Sequence, residues 1–311
     1  MTDVATQLKA EAGRLGFIAC GIAHLGPHPH AAALDRWLDA GYAGTMRYLH
    51  RQAKKRKAPQ LADEQAGVAV VVLDPYPDPG PDDPARPRIA RYARGHDYHR
   101  VTGDRLETLA RACRRLGASH TRVYVDTGPV PERELARRAG LGWIGKNAML
   151  IRPGTGSWCF IGVILTDLAV PPDPEFSADH CGTCTRCLEA CPTGAFVAPR
   201  VLDATRCLSY LTIEWKGEIP GELAGRAQGW AFGCDVCNAV CPWNQRFGDA
   251  EGAHPFADQH WIPADAGPDY FERMTEAEFA VRFGGTPLER TGLERLRRNW
   301  AVAFGSLPPR R

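Results

Sequence analysis

The chain has 311 residues, of which 44 % are hydrophobic and 24 % charged, a composition typical of a globular protein with two or three compact units. No run of about 18 apolar residues is present, and the N-terminus lacks a basic start followed by an apolar stretch, which argues against a membrane span and a secretory signal. The formal net charge of +2 points to no particular partner.

The first 75 residues alternate a helix pattern with two strand patterns. Val4, Leu8, Ala12 and Leu15 recur at helical spacing, and the apolar stretch FIACGIA that follows predicts a strand. The continuous, β-branched run VAVVVL at 68–73 predicts a strand covered on both faces.

The same alternation continues to about residue 170. The proline-rich stretch 74–87 predicts an irregular loop. A helix ending near the C-cap Gly117, a strand TRVYVD ending at Asp126, a helix through ERELARRAG and a buried strand over 159–168 follow. Strands alternating with helices predict an α/β domain.

Eleven cysteines favour metal or redox chemistry, because the cytoplasm, where we expect this chain, keeps thiols reduced. The first run, CGTCTRCLEACP, has the bacterial ferredoxin spacing, in which the fourth cysteine serves the other cluster; the second run is CDVCNAVCP. This logic predicts two [4Fe–4S] clusters, one held by Cys181, Cys184, Cys187 and Cys241 and the other by Cys191, Cys207, Cys234 and Cys237. Four-cysteine zinc sites are the alternative, but they normally use two separated CxxC pairs.

The three remaining cysteines, Cys20, Cys113 and Cys159, lie at apolar positions of predicted elements and are expected to be small buried hydrophobes.

Two clusters form a path for single electrons, and about 170 residues precede them. That region is large enough to bury a core and a cofactor. The sequence therefore favours a reductase over a ferredoxin-type electron-transfer protein.

Three further stretches suggest sites without specifying them. GLGWIGKN (140–147) nearly matches a phosphate loop, but Asn147 replaces the hydroxyl residue and the stretch follows a helix, so nucleotide binding is disfavoured. His96 and His99 are either a metal pair or, more simply, polar loop residues. Asp97-x-His99 also resembles a cobalamin-binding D-x-H-x-x-G element, although the glycine is one position late.

The segment MRYLHRQAKKRK (46–57) carries six basic residues and no acid. It is either a solvated helix face or a phosphate-contact patch with Tyr48 and His50 as stacking surfaces. The sequence alone leaves both interpretations open.

Taken together, several segments resemble epoxyqueuosine reductase in order and over nearly the whole chain: ARYARGHDYH, VYVDTGPVPERELARRAGLGWIGKN, GSWCFIGVILTDL, HCGTCTRCLEACPTGA, RCLSYLTIEWKG, FGCDVCNAVCPWN and GGTPLERTGLERLRRNWAVAFGS. The resemblance implies a cytoplasmic, monomeric oxidoreductase that uses cobalamin and two [4Fe–4S] clusters to convert epoxyqueuosine to queuosine at the tRNA wobble position. An external donor such as a flavodoxin or ferredoxin system is expected. A reductive-dehalogenase-like cobalamin reductase is the alternative.

The same resemblance implies an architecture of three parts. An α/β cobalamin- and substrate-binding domain of the nitroreductase-like or reductive-dehalogenase-like type would span 1–172. A ferredoxin-like module with both clusters would span 173–245, and a short α-helical C-terminal extension 246–311.

The resemblance also assigns site residues. Asp126 matches the family's proton donor and Arg133 a substrate-side position. The implied cobalamin contacts are Arg56, Ala90, Asp126, Leu150, Pro153, Ile164, Ser209 and Asn238, with Ala90, Leu150 and Pro153 expected to act through backbone atoms.

Asp126 would have to be protonated near neutral pH to serve as an acid, so we expect its pKa to be raised by about three units from its usual value of about 3.9. It lies too early in the chain to be an N-cap of the following helix. For a tRNA substrate, the basic segment 46–57 and the arginines of RLRRNW (295–300) become the expected footprint.

Overall fold

A four-stranded sheet lies at the centre of the N-terminal half of the computed structural model, which describes residues 3–76, 83, 85–247, 256, 262–263 and 265–307. The α-helices of these residues are α1 Val4–Arg14, α2 Ala31–Asp39, α3 Arg47–Lys57, α4 Tyr98–Arg115, α5 Glu132–Arg138, α6 Arg186–Glu189, α7 Leu208–Ile213, α8 Gly221–Ala224, α9 Val236–Ala239, α10 Pro242–Phe247, α11 Glu276–Phe283 and α12 Leu293–Gly305. The strands are β1 Ala19–His24, β2 Val68–Pro75, β3 Arg88–Ile89, β4 Thr121–Val125, β5 Trp143–Ile144, β6 Leu150–Ile151, β7 Cys159–Thr166, β8 Phe196–Ala198, β9 Val201–Leu202 and β10 Trp230–Phe232.

The sheet has the strand order β1-β2-β7-β4, and all three neighbouring pairs are antiparallel. The predicted strands and helices are present, so the α/β composition is confirmed. The alternation of elements does not produce parallel pairs, however, because the helices connect strands that run in opposite directions. All eight residues of β2 are buried, as its unbroken apolar run predicts.

Alternate residues of the strands feed two separate cores, one on each face of the sheet. On one face Val70 and Val72 pack with side chains of α1 and α4, including Leu8 and Leu106. On the other face the intervening strand residues pack with Leu135 and its neighbours on α5. The sheet is therefore covered on both sides by helices.

Two boundaries differ from the sequence prediction for local reasons. Helix α4 begins at Tyr98, earlier than predicted, because the Asp97 carboxylate caps it by accepting the His99 N–H. Its C-terminal end agrees, since Gly117 follows the C-cap with φ +113°. Strand β2 runs into the proline-rich stretch as far as Pro75; residues 77–82 and 84 of that predicted loop lie outside the described residues.

Side chains from the three predicted parts of the chain pack against one another. β10, between the two cysteine runs, pairs in parallel with β3 of the N-terminal part. The residues of these two strands also belong to a core with the C-terminal side chains Phe271, Phe283 and Trp300. The boundaries near 172 and 245 remain predictions, and packed side chains cross both.

Within the part of the chain that the structure describes, no helix combines the length and the apolar character needed to cross a bilayer.

Candidate functional site

Asp126 directly follows β4 and has φ +59°, a left-handed conformation that is uncommon outside glycine. The loop after it is held by Arg56, whose guanidinium donates to Gly128 O at 2.9 Å and to Val130 O at 3.1 Å. The N-cap of α5 is Pro131, so Asp126 is not a helix cap, in agreement with the sequence argument. Its side chain is 54 % exposed, which leaves one side of the carboxylate open to a substrate.

Three side chains from distant parts of the chain face the Asp126 carboxylate. From the first turn of α4, Tyr98 donates its hydroxyl to Oδ2 at 3.0 Å, and Nε2 of His99 lies 3.3 Å from the same oxygen. From the 3₁₀ turn before α12, Nη1 of Arg290 lies 3.8 Å from it. The C-terminal extension therefore contributes to the same site as β4 and α4.

These partners change the expected acidity of Asp126. Desolvation raises its pKa, but hydrogen bonds from His99 and Tyr98 and the charge of Arg290 outweigh it, so the pKa is lowered from its usual value. The expected rise of about three units is therefore wrong: the neighbours stabilise the carboxylate. Asp126 is ionised in this state of the site.

His99 is a constituent of the site and not a polar loop residue. Its Nδ1 lies 2.7 Å from Asp97 Oδ1, and its ring stacks on that of Tyr98 with centroids 4.1 Å apart. Burial lowers its pKa, but the hydrogen bonds with Asp126 and Asp97 prevail and raise the pKa to about 8. The D-x-H element noted in the sequence was the signal for this residue.

Glu132 places a second carboxyl beside Asp126. Burial, followed by the negative charge of Asp126, raises its pKa to about 7 in spite of Arg56. Its Oε1 and the Nε of Arg56 are both buried without a hydrogen-bond partner among the described residues. Nothing in the sequence distinguished Glu132 from an ordinary first-turn helix acid.

The first predicted set of cluster ligands surrounds one cavity. Its four thiols line it together with Lys146, Asn147, Ile151, His180, Arg186, Pro242 and Trp243; these thiols belong to Cys181, Cys184, Cys187 and Cys241. Two runs about 50 residues apart thus meet at one place. The indole N–H of Trp143 points at Cys181 Sγ at 3.5 Å, a donor suited to a thiolate.

The second predicted set is also brought together. Burial raises the pKa of Cys234, and the negative charges of Cys207 and Cys191 raise it further. Burial also raises the pKa of Cys237, and the charges of Cys234, Cys207 and Cys191 raise it further. The Ala195 N–H donates to Cys191 Sγ at 3.3 Å. Burial raises the pKa of Cys207, and hydrogen bonds from the backbone N–H groups of Ser209 and Tyr210 oppose this rise. Such donors fit thiolates bound to a cluster.

GLGWIGKN forms the β5–β6 hairpin rather than a phosphate loop, since no helix starts after it. Its Lys146 Nζ donates to Gly182 O at 2.7 Å and to Cys184 O at 3.0 Å. Asn147 donates to Asn238 Oδ1 at 3.1 Å. The element therefore fastens both cysteine runs to the N-terminal part, a role that its phosphate-loop likeness concealed.

The implied cobalamin contacts differ in how deeply they are buried. Ile164 lies in the middle of β7 between Val70 and Val123 and is 0 % exposed, so its side chain belongs to the core and the implied contact stays a prediction. Ala90 and Leu150 are also buried, which leaves only their backbone atoms. A core position cannot offer surface to a bound group.

The other implied positions lie nearer to open surface. Pro153 is exposed, Ser209 is half-buried in the first turn of α7, and Arg56 braces the Asp126 loop. Asn238 is buried and paired with Asn147.

Arg133, the implied substrate residue, is exposed, and its guanidinium donates to Ala148 O. Cys113 is buried as predicted, whereas Cys20 and Cys159 are only half-buried. Burial raises the pKa values of Cys20, Cys113 and Cys159 to about 12, 11 and 12, which fits apolar surroundings.

The two basic segments differ. Helix α3 has no buried residue and presents its cations to solvent, except that Lys57 pairs with Asp35 at 2.8 Å and Arg56 turns inward. In RLRRNW, by contrast, the arginines donate to backbone carbonyls of the fold: Arg295 to Ile213 O at 2.6 Å and Arg298 to Leu211 O at 2.8 Å. These arginines therefore help to hold α12, and their part in the expected tRNA footprint stays a prediction.

Comparisons with known proteins agree with this site. A family model described as a 4Fe-4S double cluster binding domain matches residues 180–244, which confirms the two predicted [4Fe–4S] clusters. One described as Epoxyqueuosine reductase QueG, DUF1730, matches residues 56–127.

A curated epoxyqueuosine reductase from Pseudomonas aeruginosa is 41 % identical, over 98 % of this chain and 86 % of its own length. Among solved structures, an epoxyqueuosine reductase from Bacillus subtilis, with its catalytic aspartate loop swung out of the active site, has a TM-score of 0.85 at 28 % identity over 98 % of this chain and 82 % of its own. An epoxyqueuosine reductase with an epoxyqueuosine-modified tyrosine tRNA stem loop has a TM-score of 0.84 at 29 % identity, over 98 % and 82 %.

Proposed function

The chain belongs to the epoxyqueuosine reductase family, and on that premise we propose that it reduces epoxyqueuosine to queuosine at the wobble position of tRNA, with Asp126 as the proton donor. The observation that carries the assignment of Asp126 is its half-exposed carboxylate, held by Tyr98, His99 and Arg290 at the end of β4. A relative in the family has been solved with the modified tRNA stem loop, which supports the substrate.

The reaction breaks two carbon–oxygen bonds of the epoxide and leaves an alkene and water, so it consumes two electrons and two protons. The eight clustered thiols would hold two [4Fe–4S] clusters that deliver the electrons one at a time. Asp126 would protonate the leaving oxygen. Because its pKa is lowered, it must first receive a proton from a neighbour.

The second set of thiols lies near this acid. Tyr92 packs against the same core cluster as the cluster ligands Cys207 and Cys234. The Tyr92 ring also meets that of Tyr98, with centroids 6.1 Å apart. This proximity supports a path from the second cluster to the reaction centre.

The residues around Asp126 fit a bound cobalamin in part. The unpartnered buried polar atoms of Arg56 and Glu132 and the half-buried Ser209 lie on elements that surround the acid or the second set of thiols, whereas the side chain of Ile164 lies in the core. Arg56 and Ser209 would help to hold the group, which when bound would supply a low-potential metal centre for the reduction. We also propose a cytoplasmic monomer that receives electrons from a flavodoxin or ferredoxin system.

Asp126→Asn tests this assignment. The amide keeps the shape of the side chain but cannot donate an acidic proton, so we expect both cofactors to remain bound and queuosine formation to fall at least about 100-fold. The measurement is single-turnover conversion of epoxyqueuosine tRNA, with iron and cobalt analysis of the same preparation. Asp104→Asn, an exposed aspartate on α4, is the matched control. Full activity of the Asp126 variant would remove it as the acid.

A further inference from the structure

The two nitrogens of the His99 ring face different chemistry. Nδ1 lies 2.7 Å from a carboxylate oxygen of Asp97, which can only accept, so this nitrogen carries a hydrogen. Nε2 lies 3.3 Å from the Asp126 carboxylate, which also only accepts, and 2.8 Å from the Arg290 guanidinium, which only donates. One nitrogen cannot satisfy both neighbours at the same time.

We propose that Arg290 is a positioning residue that drives proton transfer from His99 to Asp126, and so reloads the acid of the proposed reduction. The inference rests on the proposed function for the role of Arg290 in turnover. The contact between Arg290 and His99 does not depend on that function. Arg290 and His99 are 191 residues apart in the chain, and the structure brings them within hydrogen-bond distance.

The step is balanced within three side chains. Protonated His99 gives the hydrogen on Nε2 to Oδ2 of Asp126; the imidazolium becomes neutral imidazole and the carboxylate becomes a carboxylic acid. The lone pair left on Nε2 then accepts a hydrogen bond from Nη1 of Arg290, which stays charged. Asp126 passes its proton to the epoxide oxygen, and His99 takes a new proton from solvent.

Each partner is held in place for this exchange. Nη2 of Arg295 donates to Arg290 O at 2.8 Å, and the Asp97 N–H donates to Gly285 O at 2.8 Å, which ties the C-terminal extension to the start of α4. The charged and titratable groups that face His99 are Asp97 and the stacked Tyr98 on its own helix, Asp126 after β4, and Arg290. The His99 side chain is 17 % exposed, so solvent can reprotonate it.

The balance of these groups places the protonation of His99 near neutrality. Burial lowers the pKa of His99, whereas Asp126 and Asp97 raise it to about 8. The charge of Arg290 opposes protonation of both His99 and Asp126, but its contact with His99 Nε2 (2.8 Å) is shorter than that with Asp126 Oδ2 (3.8 Å), so its larger effect is to favour the neutral ring. Both the protonated and the neutral form of His99 are therefore accessible near neutral pH, as proton transfer requires.

The test compares Arg290→Ala and Arg290→Lys with the native holoenzyme. Loss of the cation removes the partner of neutral His99, so we expect Arg290→Ala to lower kcat about tenfold at pH 7 with KM for tRNA unchanged. The pKa of His99, followed by NMR of the ring in the oxidised enzyme, should rise by about one unit. Lysine keeps the charge and a donor and should recover part of both effects.

Arg273→Ala is the control, since this arginine of the C-terminal extension is 80 % exposed and pairs only with Asp269 among the described residues. An unchanged kcat in Arg290→Ala, or an unchanged pKa of His99, would overturn the proposal and leave Arg290 as a brace of the fold. If the native enzyme itself fails to reduce epoxyqueuosine, the proposed function falls, while the NMR titration still decides whether Arg290 controls the His99 proton.

Discussion

At Asp126 the backbone takes φ +59°, and Arg56 holds the following loop through two carbonyls. Strain of this kind, about 1–3 kcal/mol, persists only where the surroundings impose it. The family resemblance pointed to Asp126, and its place after a strand agreed with that role, but the expected direction of its pKa shift was wrong. Its neighbours Tyr98 and Arg290 are 28 and 164 residues away, and no local pattern brings them to the acid.

Glu132 should impose a pH dependence on stability that Glu132→Gln removes. Because its folded pKa is raised to about 7 from 4.5, native Glu132 contributes stability that is fully present below pH 4.5 and is lost as the pH rises through 7. The variant should therefore match the native enzyme near pH 4.5 and exceed its stability by up to about 3 kcal/mol at pH 8.

The measurement is anaerobic urea unfolding of both proteins at several pH values. A stability difference that does not grow between pH 5 and pH 8 would show that the Glu132 carboxyl titrates normally. Glu107→Gln, on the solvent side of α4, supplies the matched change at an exposed site.

At the scale of elements, α3 and α12 show how one composition serves two purposes. Both carry clusters of arginine or lysine, yet α12 buries Leu296 and Trp300 and directs its arginines to carbonyls, whereas α3 has no buried residue. The cations that remain exposed on α3 lie three or four positions apart and form one face: Arg47, Arg51, Lys54 and Lys55. Composition alone left the two helices equivalent, and only their packing separates them.

Charge reversal on this face should weaken tRNA binding. We expect Lys54→Glu with Lys55→Glu to reduce affinity at low salt at least about tenfold and to flatten its salt dependence, because fewer counterions are released from the phosphates. Filter binding at several salt concentrations measures both quantities. Reversal of the exposed Arg111 and Arg226 is the control. Unchanged affinity would make the α3 face a solvated surface only.

The approach of α5 to β1 depends on Gly21. A Cβ added there would overlap the carbonyl oxygen of Ala139, just after α5, and would press on Leu141. Gly21→Ala should therefore destabilise the protein by about 1–3 kcal/mol.

Gly13 in α1 has open space around it, and Gly13→Ala should stabilise by about 0.5–1 kcal/mol through helix propensity. The midpoint of thermal unfolding of both variants, measured under anaerobic conditions, tests the two expected changes in stability. Equal effects of the two substitutions would contradict the close contact.

For the whole molecule, the order of elements and the cysteine spacing were readable because hydrophobic period and ligand spacing are local properties. The antiparallel sheet was not, since the direction of a strand depends on where each connection returns. Nor was the pairing of β3 with β10, which involves two short strands about 140 residues apart. The likeness of GLGWIGKN to a phosphate loop also gave no sign that it fastens the cysteine runs.

The crossed division of the thiols predicts non-additive losses of iron. Cys191→Ser and Cys207→Ser should each reduce the content from about eight to about four atoms per chain, and the double variant should lose no more, because both serve one cluster. Cys187→Ser combined with Cys207→Ser should remove nearly all of it. Anaerobic iron analysis measures each value, with Cys113→Ser as the unaffected control. Complete loss in the Cys191 and Cys207 double variant would refute the division.

The strand β10 ends at Phe232, two residues before Cys234, and the same strand packs against α12. The same core includes Leu288, two residues before Arg290. A disturbance at Cys234 would therefore be felt through shared packing in the C-terminal segment that carries Arg290, so the second cluster and the acid site are mechanically connected.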